Sequence, residues 1–140
     1  MDFDFEIDTT GLENLLKKLP EETGKKVTRN AVSAGARVIR DGAKQLAPYD
    51  SSRKSGTHLR DGIVVKRVPR TNDLYSIGTL KTGKKAVPHA HLVEFGTIAQ
   101  PPKPFLRPAV LINQQVAVLK IFKIMANGIF REAKKLAGRK

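Results

Sequence analysis

Apolar residues near the start of the chain alternate with acidic ones and then change to helical spacing. Phe3, Phe5 and Ile7 are separated by acidic residues, and a period of two is typical of a half-buried β-strand. After a break at residues 9–11, leucines at helical spacing predict a short helix that ends before Pro20. These leucines are Leu12, Leu15, Leu16 and Leu19.

A long helix is predicted next, from residue 20 or 21 to about residue 47. A proline suits its first turn, two glutamates follow at the positive end of the helix dipole, and Pro48 stops the pattern. Its apolar stripe, at helical spacing, consists of Val27, Ala31, Ala34 and Val38. Another face is basic and carries Lys26, Arg29, Arg37, Arg40 and Lys44.

The middle of the chain alternates between polar loops and short strand patterns. Residues 49–60 and 81–85 predict two mobile basic loops, because they are polar, rich in small residues and without periodicity. β-Branched and alternating patterns predict three strands, with a turn at 71–73 between the first two, at residues 63–68, 74–80 and 87–95. Residues 96–104, with one glycine and three prolines, predict an extended connector.

The last predicted helix runs from residue 107 or 108 to about residue 136 and is apolar on more than one face. Between residues 116 and 125 only Lys120 and Lys123 are polar. Such a helix needs more than one surface to bury against. The second surface is either another subunit, with Val118, Ile121, Phe122 and Met125 as interface candidates, or the sheet of the same chain.

Composition favours one domain over residues 1–140 and leaves two kinds of partner open. The chain has no cysteine, which excludes disulfides and thiolate metal sites. Its net charge is +13, with −5 in residues 1–22 and +18 in the remainder. Such a field attracts nucleic acid or an acidic protein partner. We expect no signal peptide and no membrane span, because the start is acidic and the apolar run at 116–125 is short.

The residues that could carry chemistry do not form a catalytic pattern. His89 and His91 would share one face of a strand, but Glu94 would lie on the other face and only His58 remains as a further imidazole. Residues 82–84 lack the rest of a phosphate loop, and no serine lies in a nucleophile elbow. The sequence therefore predicts no enzyme, no metal and no cofactor.

Nucleic-acid binding through the phosphate backbone stays open as an alternative function. The chain has no tryptophan and only two tyrosines, and no helix-turn-helix or zinc signature is present. A sequence-nonspecific binding module would use the basic loops. The residues predicted to face DNA or a partner are Arg53, Lys54, Arg60, Lys81, Lys84 and Lys85.

Three segments, read in order, resemble one protein family. They are Ala43-Lys44-Gln45-Leu46-Ala47-Pro48-Tyr49-Asp50 with Leu59-Arg60-Asp61-Gly62-Ile63, then His89-Ala90-His91-Leu92-Val93-Glu94-Phe95-Gly96-Thr97, then Pro104-Phe105-Leu106-Arg107-Pro108-Ala109. The series is similar to the tail-component, or tail-completion, proteins of long-tailed bacteriophages and prophages, over about residues 10–135. The loop at 51–58 is longer and more basic than the family pattern.

The resemblance implies an α+β fold with two long helices packed on an antiparallel sheet of three to four strands. It also implies a head–tail joining role in the neck of the virion, as a ring, commonly hexameric, between the head connector and the tail terminator or tail tube proteins. The virion would be its location, with the host cytoplasm as the place of assembly, and DNA would pass through a basic lumen.

The motif residues have a structural interpretation. Glu94 is expected either to pair with a base such as Arg107 or to cap backbone donors, and Gly96 to allow a sharp turn. Phe105 and Leu106 are expected to anchor the last helix by burial. The whole set is Pro48, Asp50, Leu59, Arg60, Glu94, Phe95, Gly96, Thr97, Pro104, Phe105, Leu106, Arg107 and Pro108.

Overall fold

The computed structural model describes residues 14, 17–49, 51–52, 56–70 and 74–138. From residue 21 onward, three α-helices, a 3₁₀ turn and two strands follow one another along the described residues. In chain order they are helix α1 (Glu21–Leu46), the 3₁₀ turn (Leu59–Gly62), strands β1 (Ile63–Arg67) and β2 (Tyr75–Thr79), and helices α2 (Ala90–Phe95) and α3 (Leu106–Ala137).

Helices α1 and α3 have nearly the bounds that the sequence predicts. Glu21 and Glu22 lie in the first turn of α1, and Lys44 in its last turn, so the charges complement the helix dipole. Pro48 follows its end. The predicted strand at residues 3–7 lies outside the described residues. Of the predicted short helix, residues 14, 17 and 18 are helical.

The two long helices pack against each other in antiparallel directions. Gly128 of α3 contacts Val27 near the start of α1, and Gly42 near the end of α1 contacts Asn113 in the first half of α3. A Cβ atom on Gly35 would collide with the Ile121 side chain. These glycines therefore allow a closer approach of the two backbones than any other residue would.

The sheet in the described residues has two strands rather than three or four. β1 and β2 are antiparallel, with Ile63 opposite Thr79 and Arg67 opposite Tyr75. The strand predicted at residues 87–95 is wrong, because residues 90–95 form helix α2. Pro88 cannot donate to a sheet ladder. The carboxylate of Glu94 binds backbone N–H groups at the start of helix α3.

The buried core divides into two clusters along α1 and α3. The larger cluster joins the end of α1, the 3₁₀ turn, β1, α2 and the start of α3 through Ala43, Ala47, Leu59, Ile63, Val87, Ala90, Phe105 and Ala109. The smaller cluster joins the opposite ends of the long helices through Leu19, Val27 and Ile129, with Met125 packed against it. The larger cluster therefore positions the motif residues at the start of α3.

Candidate assembly surfaces

The carboxylate of Glu94 holds the start of α3. Its Oε2 atom accepts hydrogen bonds from the backbone N–H groups of Phe105 at 2.7 Å and Leu106 at 3.0 Å. Its Oε1 atom accepts one from the backbone N–H of Arg107 at 3.1 Å. The first N–H groups of a helix have no partner within the helix, so Glu94 satisfies three of them from a distant segment. Of the two expected roles, the structure shows the capping of backbone donors.

The surroundings of Glu94 favour its ionised form. Burial of its side chain, 9% exposed, disfavours the charged form and acts to raise its pKa. The three backbone hydrogen bonds and the positive charge of Arg107 act in the opposite direction and outweigh burial, so the pKa of Glu94 is lowered. The negative charge also lies at the positive end of the α3 dipole.

The loop between α2 and α3 is held at both sides. Gly96 has a φ of 78°, and a Cβ atom there would lie 2.7 Å from the Pro102 nitrogen. The Lys103 N–H donates to the Val93 carbonyl at 2.8 Å. Residues 97 and 100 close a turn through two hydrogen bonds of 2.9 and 3.1 Å. The loop is therefore a fixed projection at the start of α3.

Helix α2 and this projection present apolar side chains to solvent. Leu92 is 45% exposed and Phe95 is 71% exposed, and Ile98 at the turn is fully exposed. Phe105, the other aromatic residue of the motif, is completely buried. Both phenylalanines belong to the motif residues that were interpreted as structural. Only Phe105 is buried in the fold. We call Leu92, Phe95 and Ile98 the loop patch.

A second apolar surface lies along α3 on the side that does not contact α1. Ile112, Val116, Leu119 and Phe130 are between 56% and 66% exposed. Their spacing of four, three and eleven residues keeps them on one side of the helix, as at the seam of a coiled coil. We call these four residues the outer face of α3.

The interface candidates taken from sequence lie elsewhere on α3. Ile121 contacts Gly35 of α1, and Met125 packs on the smaller core cluster. Val118 and Phe122 are half-buried. Spacing along the helix could have identified the outer face, but the sequence did not show which side would meet α1. No sequence signal marked Ile98.

Helix α3 could cross a membrane by length and composition, and it alone passes this test among the described residues. The expectation of no membrane span was based on the apolar run at residues 116–125. The helix that passes the test is longer and covers Leu106–Ala137. Only 11% of its most apolar window is buried within the chain. A helix at a subunit interface has the same composition, so the absence of a membrane partner stays a prediction.

The two predicted basic loops touch each other. The Thr57 hydroxyl donates to the Lys84 carbonyl at 2.9 Å. The guanidinium carbon of Arg60 lies 3.4 Å from the centre of the Tyr49 ring, and the His58 ring lies on the same tyrosine at 4.4 Å. The stack joins the two halves of the first motif segment. The structure therefore brings Arg60 and the loop at 81–85 to one side of the molecule.

The remaining predicted cations divide between described and undescribed residues. Lys81, Lys84 and Lys85 are exposed. Arg53, Lys54 and the motif residue Asp50 lie outside the described residues. Four of the six residues predicted to face DNA or a partner therefore lie in the described part of the chain. They are Arg60, Lys81, Lys84 and Lys85.

The two neighbouring histidines do not share a strand face. His89 precedes α2 and His91 lies in its first turn, where its Nδ1 atom is 3.0 Å from the Pro88 carbonyl oxygen. In the described residues no three His, Asp or Glu side chains come together. The predicted pairing of imidazoles on a strand is wrong because the segment is helical.

Residues 11–96 match the family model described as "Bacteriophage HK97-gp10, putative tail-component". The chain belongs to this family. The match covers more than half of the chain, and no curated protein or solved structure gave a match. A tail component is a structural part of a phage virion and contacts other virion proteins.

The match to the tail-component family includes the first motif segment and the second as far as Gly96, so Thr97 lies outside it. The resemblance was expected to extend to about residue 135, so α3 and the segment 104–109 lie outside the match. Glu94 lies inside the match, and its carboxylate binds the backbone of residues 105–107 outside it. The family segment thus fixes the start of the helix that carries the outer face.

Proposed function

We propose that this tail component is a tail-completion adaptor, which forms a ring between the tail and the head connector. The observation that carries the proposal is the outer face of α3, which exposes four large apolar side chains on a folded family member. Exposed apolar side chains on one side of a helix are typical of protein–protein contacts. The loop patch is a second apolar surface on a separate, fixed segment.

Two different apolar surfaces fit a heterologous contact. When one patch of a subunit meets another patch of the next subunit, repeated contacts close a ring if the rotation allows it. Such a ring, hexameric in this proposal, has the head connector on one side and the tail terminator or tail tube proteins on the other. The neck of the virion is its proposed location, after assembly in the host cytoplasm.

The charge of the chain supports a lumen through which DNA passes. The net charge is +13, and Arg60, Lys84 and Lys85 lie on the side where the two basic loops meet. Contacts from lysine and arginine to phosphates are independent of sequence, which suits a passage that does not read the DNA. No catalytic role forms part of this proposal.

The test is the mass of the purified full chain by light scattering after size exclusion, with images by negative-stain electron microscopy. We expect a discrete species near six copies with a central opening, formed at lower concentration as salt rises, because salt screens repulsion between basic subunits. A monomer at all concentrations, also when mixed with purified tail tubes, would overturn the adaptor proposal.

The second candidate is a sequence-nonspecific nucleic-acid-binding module that acts without a ring. The contact between the two basic loops favours it, because it places exposed lysines beside Arg60. This module predicts strongly salt-dependent binding of duplex DNA by the monomer. The two candidates therefore differ in whether DNA binding needs assembly.

A further inference from the structure

A polar groove lies between the first half of α1 and the second half of α3 and has a volume of about 280 Å³. Its floor is apolar, because Val27 and Gly128 are buried and Ile124 is half-buried. Its walls are formed by exposed side chains that carry an amide or a positive charge. These are Asn30, Asn127, Lys26, Arg131 and Lys135.

The positive charge of this groove is only partly neutralised within the chain. Glu132 is the one carboxylate among the described residues that line it, and its Oε1 atom lies 3.3 Å from Lys135 Nζ and 4.0 Å from Arg131 Nε. In the described part of the chain, no carboxylate lies within ion-pair distance of Lys26. Three cations against one carboxylate favour an anionic partner.

The apolar floor distinguishes between two kinds of anionic partner. Contacts to the DNA backbone are made to phosphates and sugars, and they do not need an apolar floor. An acidic peptide can bury an apolar side chain on Val27 and Ile124 while its carboxylates meet the cations at the rim, as in protein–protein interfaces. The guanidinium of Arg131 can hold a carboxylate through two parallel N–H bonds. The groove therefore fits an acidic peptide better than DNA.

The groove is also separate from the two basic loops. The loop at 49–60 packs through Leu59 on Ala43 near the end of α1, and Lys26 lies about 25 Å from Ala43 along the helix axis. Phe130, which belongs to the outer face of α3, directly precedes Arg131 in the groove. A partner in the groove can therefore bind while the basic loops contact DNA.

We propose that this groove binds an acidic peptide segment of a neighbouring virion protein. Val27 and Ile124 receive an apolar side chain of the segment, and Lys26, Arg131 and Lys135 pair with carboxylates on either side of it. The acidic and apolar character of the segment follows from the groove alone. That the segment belongs to a virion protein rests on the proposed function.

The test is fluorescence anisotropy of a labelled synthetic peptide in which leucines are separated by pairs of glutamates, added to the full chain at low salt. We expect it to bind at least about tenfold more tightly than the same peptide with glutamine for glutamate, because the ion pairs are lost in the latter. A peptide with serine for leucine should bind several-fold more weakly than the parent peptide, because it leaves the apolar floor uncovered.

Two double variants with the same loss of charge locate the binding site. Lys26→Ala with Arg131→Ala changes the groove, and Lys84→Ala with Lys85→Ala changes the loop at 81–85. All four side chains are exposed, so the fold should tolerate both variants. We expect the groove variant to bind the acidic peptide at least about tenfold more weakly and the loop variant to differ from the parent by less than about twofold.

An equal loss in the two variants, or no preference for the acidic peptide over the glutamine peptide, would overturn the proposal. Loss of duplex DNA binding in the groove variant alone would assign the groove to DNA instead. Loss of self-association in that variant without any peptide would assign it to a second copy, and either result would overturn the proposal. A ring that forms from a chain without peptide binding removes this inference and leaves the adaptor function standing. Peptide binding by a chain that never assembles does the opposite.

Discussion

Glu94 links two segments of the chain that sequence spacing does not connect. Its carboxylate accepts hydrogen bonds from three backbone N–H groups that lie 11 to 13 residues further along the chain. These groups have no other partner in the first turn of α3, so one side chain fixes the direction in which the helix leaves the core. The fixed loop at residues 96–104 and its apolar patch depend on the same residue.

Replacing Glu94 by alanine should destabilise the fold more than any other single loss of a carboxylate in the described residues. Three N–H groups would lose their partner, one of them buried, and the expected loss is about 2–4 kcal/mol of unfolding free energy. Chemical denaturation of the two proteins measures it. The control is Glu22→Ala, whose side chain is exposed and lies 3.6 Å from Lys25. A loss equal to that of the control would contradict the capping role.

The stability supplied by Glu94 should depend on pH with a defined sign. The folded state lowers the pKa of Glu94, so its contribution is complete above the pKa of the unfolded chain, about 4.3. The contribution is lost as the pH falls through the lower folded pKa. The difference in unfolding free energy between the parent and Glu94→Gln should be constant from pH 7 to 5 and shrink below pH 4. A difference that grows on acidification would contradict the sign of the shift.

At the scale of elements, the 3₁₀ turn is packed tightly on the segment that leads into α2. A Cβ atom on Gly62 would collide with Val87, which is 1% exposed, and would lie 2.9 Å from the Lys85 carbonyl oxygen. Neither neighbour can move freely, because one is a buried β-branched side chain and the other is backbone. This close packing fixes the position of the 3₁₀ turn relative to the loop at 81–85 and the segment that leads into α2.

Gly62→Ala should destabilise the protein by about 1–3 kcal/mol, the usual cost of overpacking a buried site. Gly78→Ala is the matched control, because no heavy atom lies within 4 Å of a Cβ there. The control should be neutral or slightly stabilising, since alanine has less backbone freedom in the unfolded chain than glycine. Thermal unfolding of both variants compares them. Similar midpoints for the two would show that the packing at Gly62 can relax.

The sequence predicts an element well where its hydrophobic periodicity extends over many residues. It predicts an element poorly where contacts with residues distant in the chain determine the local structure. Helices α1 and α3 have the predicted bounds within one or two residues, because periodicity extends over many turns. Residues 90–95 have too short a pattern, and their alternation matched a strand. The role of Glu94 depends on N–H groups that only the folded chain brings within 3.1 Å. In the same way, periodicity showed that α3 is apolar but not which side faces α1.

At the scale of the whole molecule, the outer face of α3 should decide whether subunits associate. Leu119→Glu places a charge in the middle of this face, and the side chain is 57% exposed, so the fold of the subunit should tolerate it. We expect a shift to monomer by light scattering with little change in unfolding free energy. Leu74→Glu is the control, because Leu74 is exposed to nearly the same extent, 55%, and directly precedes β2 in the chain. Association that survives Leu119→Glu would move the interface to another surface.

The same variant also separates the two proposed functions by their requirement for assembly. In a ring, the basic loops of several subunits face one DNA molecule, so their phosphate contacts act together and the salt dependence of binding is steep. In a free module, each subunit makes its contacts alone. For the adaptor we therefore expect Leu119→Glu to bind duplex DNA at least about tenfold more weakly than the parent at the same salt concentration, with a shallower dependence on salt.

Replacing Lys84 and Lys85 by alanine in the assembled parent supplies the complementary measurement. Each lost phosphate contact should reduce the slope of log affinity against log salt by about one. Assembly should be unchanged, because these lysines are exposed and belong to neither apolar surface. If the monomeric Leu119→Glu protein binds DNA as tightly as the parent and loses binding with the lysines, the module is the better description. If only the assembled protein binds, and the lysines change its slope, the ring brings the basic side of each subunit to its lumen.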